Sequence, residues 1–444
     1  MIQRKALAKL RLWKASSDRK PLVLRGARQV GKTTLIREFG KEFSNFVEVN
    51  LERPQEARLF ELDTTELILN AIFLQKNVQF KKGSTLLFID EIQESPRAIT
   101  QLRYFLEDRP DLFVVAAGSL LEFALAKVPS FPVGRVDYLY LHPLNFEEYL
   151  SALGQTQALE VLKQVPVQEY AHEILKKHFH DYALLGGMPA LVFRYAVNPN
   201  LANLSTAYQK LWLAYKDDVE KYARNETEKR IIRHVIETAP VELDRIKFEG
   251  FGNSNYRSRE VGEALRALDL ARVIRLIYPT TSVSIPLIVD YKKRPRLQFL
   301  DTGIWNHALG IQADLIQVKD LNEVHKGRII QHLLAQEIES IFEDFNFQSH
   351  FWVRQEKDTS SEVDLVFPFK KYLIPIEVKS GSTGSLRSLH QFMDRCEHPF
   401  AVRFYAGPFK VEQSQTVKGT PFTLINLPYY LGTQLVNFLT KYVV

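Results

Sequence analysis

Cysteine is almost missing from this 444-residue chain: Cys396 stands alone, beside three methionines. A single thiol excludes an internal disulfide framework and any cysteine-based zinc cluster, and it fits a reducing compartment. The eleven histidines are scattered without the spacing that holds a metal. No apolar run is long enough to span a bilayer, and Met1-Ile2-Gln3-Arg4-Lys5 lacks the apolar segment of a signal peptide. The expectation is a soluble, cytoplasmic protein with no membrane partner. Internal repeats and low-complexity tracts are absent too, so domain limits rest on changes of pattern alone. Charge of either sign is hardly in excess: 58 basic against 52 acidic residues leave +6 and a pI near 9.0. That balance permits nucleic acid as a partner without demonstrating it.

What is present starts with Gly26-Ala27-Arg28-Gln29-Val30-Gly31-Lys32-Thr33, a full match to the phosphate-binding loop pattern G-x-x-x-x-G-K-[ST]. An apolar strand, Pro21 to Leu24, precedes it, and a helical pattern from Thr34 to Phe39 follows, which is the order the chemistry requires. Backbone amides of residues 26–34, Thr34 included, then point at the phosphates of ATP. Lys32 brings a positive charge to the β and γ oxygens, and the Thr33 hydroxyl suits Mg²⁺. The run Ser84 to Ile89 ends in Asp90-Glu91 and reads as a neighbouring parallel strand with acids at its carboxyl end. Asp90 is expected to hold the metal and Glu91 to polarise the attacking water.

Strands at Phe46–Asn50, Leu112–Ala116 and Val136–Leu141 complete an alternating α/β pattern over residues 1–150, a parallel sheet with helices on both faces. Residues 151–225 turn helical. Residues 226–320 contain a helix, Arg257 to Leu270, followed by a strand, Val273 to Pro279, an arrangement suited to a small winged helix-turn-helix. Basic clusters at Arg224–Arg233, Arg257–Arg275 and Tyr291–Arg296 fall in this middle region, although solvated helix faces carry such clusters as well.

Residues 321–444 open another α/β segment, with strands at Phe351–Val353, Glu362–Phe367 and Tyr372–Lys379. Folding the last two as a hairpin about Lys370-Lys371 sets Asp364 opposite Glu377, and alternation puts Lys379 on the same face. Two carboxylates and a lysine can bind a divalent cation and activate water for phosphodiester cleavage. An ion-paired strand surface has the same spacing.

The order of these segments resembles the bacterial and archaeal AAA-type P-loop ATPases that carry a C-terminal DUF4143 domain with a restriction-endonuclease-like, PD-(D/E)XK end. The likeness runs through Gly118-Ser119, Pro132-Val133-Gly134-Arg135-Val136, His142 to Glu148, Gly186-Gly187-Met188-Pro189, Phe299 to Gly303 and Ile376 to Gly381. It implies an AAA-type domain, a helical and winged-helix middle, and a nuclease-like end. It also implies that Ser119 senses the γ-phosphate and that Arg135 serves as an arginine finger for its own or a neighbouring subunit. A helix cap and a surface ion pair are the plainer roles for these two. One departure stands out: where the family has a glutamate on the helix after Lys326-Gly327-Arg328, this chain has Gln331, with the next acid at Glu337. The expected function is therefore ATP hydrolysis coupled to DNA or RNA, with self-assembly in play. A nucleotide-controlled switch for a protein partner, and an ATP-regulated nuclease, are the alternatives.

Overall fold

The computed structural model describes residues 3–119, 134–221, 223–242, 244–311, 327–342, 347–354, 361–379 and 386–443. Pro132, Val133, Lys326, Ser380 and Gly381 of the quoted motifs lie outside these residues. The chain divides into two compact units, one holding the chain up to Pro143 together with Leu270–Arg272, the other starting at Leu144.

In the first unit the strands are β1 (Leu22–Arg25), β2 (Asn45–Asn50), β3 (Thr85–Asp90), β4 (Phe113–Ala117) and β5 (Asp137–Tyr140). They form one parallel sheet in the order β2-β3-β4-β1-β5. Strands β1, β3 and β4 are buried on both faces, which is why they read as unbroken apolar runs rather than alternating ones. Helices α1 (Ala6–Ala15), α2 (Lys32–Gly40), α3 (Pro54–Ala57), α4 (Thr65–Gln75) and α5 (Pro96–Asp108) accompany the sheet. Ile68, Leu69 and Ile72 of α4 and Ile99, Leu102 and Phe105 of α5 pack with Val47, Leu87, Ile89 and Val114 in one buried core. Ser95 caps α5 by accepting from the Ala98 amide at 3.1 Å, and Pro96 supplies the preset first helical residue. One expectation needs correction. The acid-tipped strand β3 is not a neighbour of β1, because β4 is inserted between them. A crossover through α5 carries the chain from β3 into that slot, and local periodicity holds no information about which strand fills it.

The second unit begins with helices α6 (Phe146–Ala152), α7 (Thr156–Leu162), α8 (His172–Leu185), α9 (Pro189–Val197), α10 (Ser205–Glu220) and α11 (Glu226–Thr238). Then come α12 (Ser258–Leu270) and an antiparallel pair, β6 (Ile274–Ile277) with β7 (Arg296–Phe299). After α13 (Thr302–Ala308) and α14 (Arg328–Ser340) the chain forms β8 (His350–Val353), β9 (Glu362–Phe369), β10 (Tyr372–Val378), β11 (Phe400–Tyr405), β12 (Lys410–Gln415) and β13 (Pro421–Pro428). Their mixed sheet has the order β12-β13-β11-β10-β9-β8, and α15 (Arg387–Met393) packs on it through Leu389, Phe392 and Met393.

Four motifs of the sequence meet in one buried knot. The Asp301 carboxylate accepts from the Gly187 amide at 2.5 Å and caps α13 through the Ile304 amide at 3.0 Å. Leu144 donates to the Gly187 carbonyl at 2.7 Å, and a Cβ on Gly187 would lie 2.1 Å from the Leu144 carbonyl oxygen, so only glycine fits. Glu337 of α14, fully buried, accepts from the Phe146 amide at the start of α6 and from the Tyr182 hydroxyl at 2.7 Å. Burial pushes Asp301 up to about 6 against the pull of those amides. Glu337→Ala strands the buried Phe146 amide and leaves the Tyr182 hydroxyl with the Leu144 carbonyl as its acceptor, so the urea midpoint should fall by the equivalent of about 1–3 kcal/mol. Glu337→Gln retains one acceptor oxygen and should lose clearly less; equal losses would show that one acceptor oxygen is not enough and that the contact needs the carboxylate.

Candidate functional site

The phosphate loop leaves β1 at the carboxyl edge of the sheet and turns through Gly26 (φ 145°), Gln29 (φ 61°) and Gly31 (φ 95°) into α2. A Cβ on Gly26 would sit 2.3 Å from the Leu141 carbonyl oxygen, which explains glycine at that point. The first turn of α2 carries no acid, so its amide end suits an anion. Lys32 is buried, and its amine donates to the carbonyls of Gly26 at 2.9 Å and Ala27 at 2.8 Å, inside the ring of the loop.

Asp90 ends β3 at the same edge. Although β4 separates the strands, the Thr33 hydroxyl donates to Asp90 Oδ2 at 2.8 Å. Burial raises the Asp90 carboxyl, offset by the Thr33 hydrogen bond and reinforced by Glu91. A hydroxyl and a buried carboxylate form an all-oxygen pair suited to Mg²⁺. Glu91 follows with φ 55°, an unusual backbone for a residue with a side chain. Its Oε2 accepts from the Gln93 side-chain amide at 2.6 Å. Ser119 comes two residues after β4, between the loop strand and the acid strand in the sheet order.

Arg135 is not brought to this edge. It precedes β5, whose first residue, Asp137, is level with Leu22 at the amino end of β1. At 3.3 Å per residue that start is at least ~13 Å from the loop along the strand. Its guanidinium, 47% exposed, pairs with Glu107 at 2.8 Å. The strand register thus sets Arg135 toward the edge of the sheet away from the phosphate loop.

Two contacts carry no motif and were not legible. Arg4 donates to the Val30 carbonyl at 3.0 Å and the His142 carbonyl at 2.6 Å, tying the loop to the segment after β5. Gln93, besides gripping Glu91, places its carbonyl oxygen 2.3 Å from where a Gly118 Cβ would be, so the glycine before Ser119 makes room for it.

In the second unit the ladder runs as far as Ile376 with Leu365, the neighbours in sequence of Glu377 and Asp364. Asp364 Oδ2 accepts from the Val378 amide at 2.8 Å, and Lys379 Nζ lies 2.6 Å from Glu377 Oε1. Glu377 Oε2 is buried with no hydrogen-bond partner. Burial raises both carboxyls; Asp364 adds to the rise at Glu377, which reaches about 8, while Arg296 and the Val378 amide oppose it at Asp364. Gln331 and Asp364 line one cavity of about 70 Å³ with Arg296, Arg328 and His332. Glu337 is taken up by the knot described above. Among the described residues no group of three or more His, Cys, Asp or Glu side chains is arranged to hold a metal. Nor, among them, is any helix long and apolar enough to cross a membrane.

Comparison with known proteins adds three family matches. Residues 18–150 match the AAA domain family AAA_14, and residues 176–315 match DUF8612, a domain of unknown function. Residues 326–427 match DUF4143, likewise a domain of unknown function. No curated protein matches the chain. Among solved structures, the Walker-type ATPase PABY2304 of Pyrococcus abyssi is 14% identical, with a TM-score of 0.44, over 70% of this chain and 96% of that one. The Aeropyrum pernix Orc1 protein in complex with DNA is 13% identical, with a TM-score of 0.33, over 71% and 94%. PCH-2 of C. elegans is 15% identical, with a TM-score of 0.23, over 38% and 48%. The chain thus carries an AAA domain over residues 18–150 and a DUF4143 domain over residues 326–427, the order that the resemblance to AAA-type P-loop ATPases with a C-terminal DUF4143 domain implies.

Proposed function

We propose that the protein hydrolyses ATP with Mg²⁺ and couples its nucleotide state to DNA or RNA held by the C-terminal half. The observation that carries hydrolysis is the 2.8 Å contact between Thr33 and Asp90, with Glu91 next in the chain. Thr33 and Asp90 would hold Mg²⁺, which neutralises charge on the phosphates when bound. Lys32 then faces the β and γ oxygens, and the loop amides orient the triphosphate. Glu91 positions a water for attack once its oxygen is released from Gln93. Ser119, at the end of the intervening strand, contacts the γ-phosphate. Support for the nucleic-acid arm is the unit formed by α12 and the β6–β7 pair, a winged-helix-like arrangement beside the basic run Lys292-Lys293-Arg294. The test is phosphate release by the purified protein with and without DNA, joined to binding measured across a salt series. Stimulation by DNA and affinity falling steeply with salt support the reading. No binding to DNA or RNA at any salt would favour a switch for a protein partner.

A metal-dependent nuclease at Asp364, Glu377 and Lys379 is a second reading, favoured by the buried, unpartnered Glu377 oxygen. Cation binding there must displace the proton that burial and Asp364 keep on Glu377 up to about pH 8. Mn²⁺ affinity in a calorimeter should therefore rise by up to about tenfold per pH unit toward pH 8, with proton release. Glu377→Gln should flatten that rise; an unchanged profile would remove Glu377 from any cation site. With Gln331 in place of an acid, cleavage is expected to be weak or absent, and Gln331→Glu tests whether cutting returns.

A further inference from the structure

A cavity of about 300 Å³, the size of a small-molecule site, lies beside the loop joining β6 to β7. Its lining includes Lys247, Tyr278, Tyr291, Lys292, Lys293 and Arg294, with Glu249 as the acid among them. None of the four cations has an ion-pair partner among the described residues. Elsewhere on the same unit exposed arginines are neutralised: Arg224 by Glu228 and Glu263, Arg233 by Glu220, Arg259 by Glu263. Four unneutralised cations around one hollow repel one another, and a bound polyanion would relieve that repulsion.

The hollow is also aromatic. Tyr291 is 73% exposed, and its ring lies 4.9 Å from that of half-buried Tyr278, inclined at 57°. A ring supported from one side and open on the other is a platform for a flat partner. Ser258, the first residue of α12, also lines the cavity, while Glu260 in that helix's first turn is held by the Arg257 amide. Phosphate donors and a free aromatic face in one place match a nucleotide. The bases of an intact duplex are stacked on both faces, so only an unpaired base can use the ring.

We propose that this cavity seats an unpaired base of a single-stranded nucleic acid, stacked on Tyr291, with its flanking phosphates held by Lys292, Lys293, Arg294 and Lys247. The inference rests on the nucleic-acid arm of the proposed function and narrows its substrate to strands with exposed bases. The chain then binds single strands in preference to duplex of equal length.

Fluorescence anisotropy of the full chain with labelled 20-nucleotide oligo-dT and with a 20-base-pair duplex tests this, because stacking and phosphate contacts need no 2′-hydroxyl. Tyr291→Ala should weaken oligo-dT binding by roughly tenfold, as loss of one stacked base does, and leave the duplex unaffected. Tyr291→Phe should restore the parent value, and the melting temperature of both variants should match the parent, since the side chain is largely in solvent. Lys292→Ala with Lys293→Ala should weaken both ligands and lower the salt slope by about one per lysine. Unchanged oligo-dT affinity in Tyr291→Ala, or no preference for the single strand, overturns the inference while salt-sensitive binding preserves the broader reading. Free dTMP bound at micromolar concentration by the parent, lost in Tyr291→Ala and not displaced by oligo-dT, would assign the cavity to a mononucleotide and likewise overturn it. Absence of binding to every strand and duplex takes the broader reading with it.

Discussion

Arg135→Ala protein is expected to lose about 10³-fold or more in turnover while keeping its affinity for ATP. The reasoning is geometric. The register of β5 on β1 puts Arg135 at the sheet edge opposite the phosphate loop, half in solvent and paired with Glu107. A guanidinium there is better placed to serve the nucleotide of a neighbouring chain than its own, and this is the reading the experiment tests. Its charge then matters chiefly in the transition state, where negative charge spreads over the transferring phosphoryl oxygens. Mixing Arg135→Ala with Lys32→Ala should restore part of the activity at concentrations where chains assemble, because one supplies an intact loop and the other an intact arginine. Parental turnover in Arg135→Ala would eliminate the role and leave the residue as the partner of Glu107. A loss without rescue on mixing, in protein of parental melting temperature, would assign the arginine to the nucleotide of its own chain.

Glu91→Gln should bind ATP as the parent does and leave it uncleaved, with turnover down by about 10²- to 10⁴-fold. The amide keeps the shape of the side chain and one acceptor oxygen, but it is far too weak a base to orient a water for attack. Thr33 and Asp90, which lie 2.8 Å apart, are untouched by the change. Lys32→Ala should differ in kind: ATP affinity is expected to fall along with turnover, because on the proposed reading the amine would face the β and γ oxygens in ground and transition states alike. Retention of labelled nucleotide after gel filtration separates the two. Hydrolysis by Glu91→Gln at the parental rate would move the role of water positioning to another residue, and Gln93, at 2.6 Å from Glu91, is the first to examine.

What could be read in the chain was whatever depends on neighbours in sequence. The phosphate loop is a local motif between a strand and a helix, and the register of the hairpin that carries Asp364 and Glu377 follows from the turn at Lys370-Lys371 and the period of two. Strand order is another matter. The place of β4 between β1 and β3 depends on crossovers of more than twenty residues, so Asp90 was read as lying on the adjacent strand when it sits one strand further away. Strand β7, only four residues long and remote from β6 in sequence, has too short a run to signal itself, and β11 to β13 went unread although longer. Arg135 could be named as a candidate from resemblance, yet its distance from the loop appears only with the register. Glu337 was legible only as the next acid after Gln331, because its partners, Phe146 and Tyr182, are more than 150 residues away in the chain.

The knot around Glu337 and Asp301 bears on how this protein can be taken apart. A fragment severed at residue 150, where the helical pattern begins, would carry off Leu144 and Phe146 with their amides stripped of Gly187 and Glu337. The remaining piece would keep a carboxylate in an apolar pocket with one of its donors gone. Excision after Pro143, where the continuous part of the first compact unit ends, leaves the hydrogen bonds of the knot whole. Swapping modules between relatives at that seam should yield working hybrids, whereas seams a few residues downstream should yield insoluble ones.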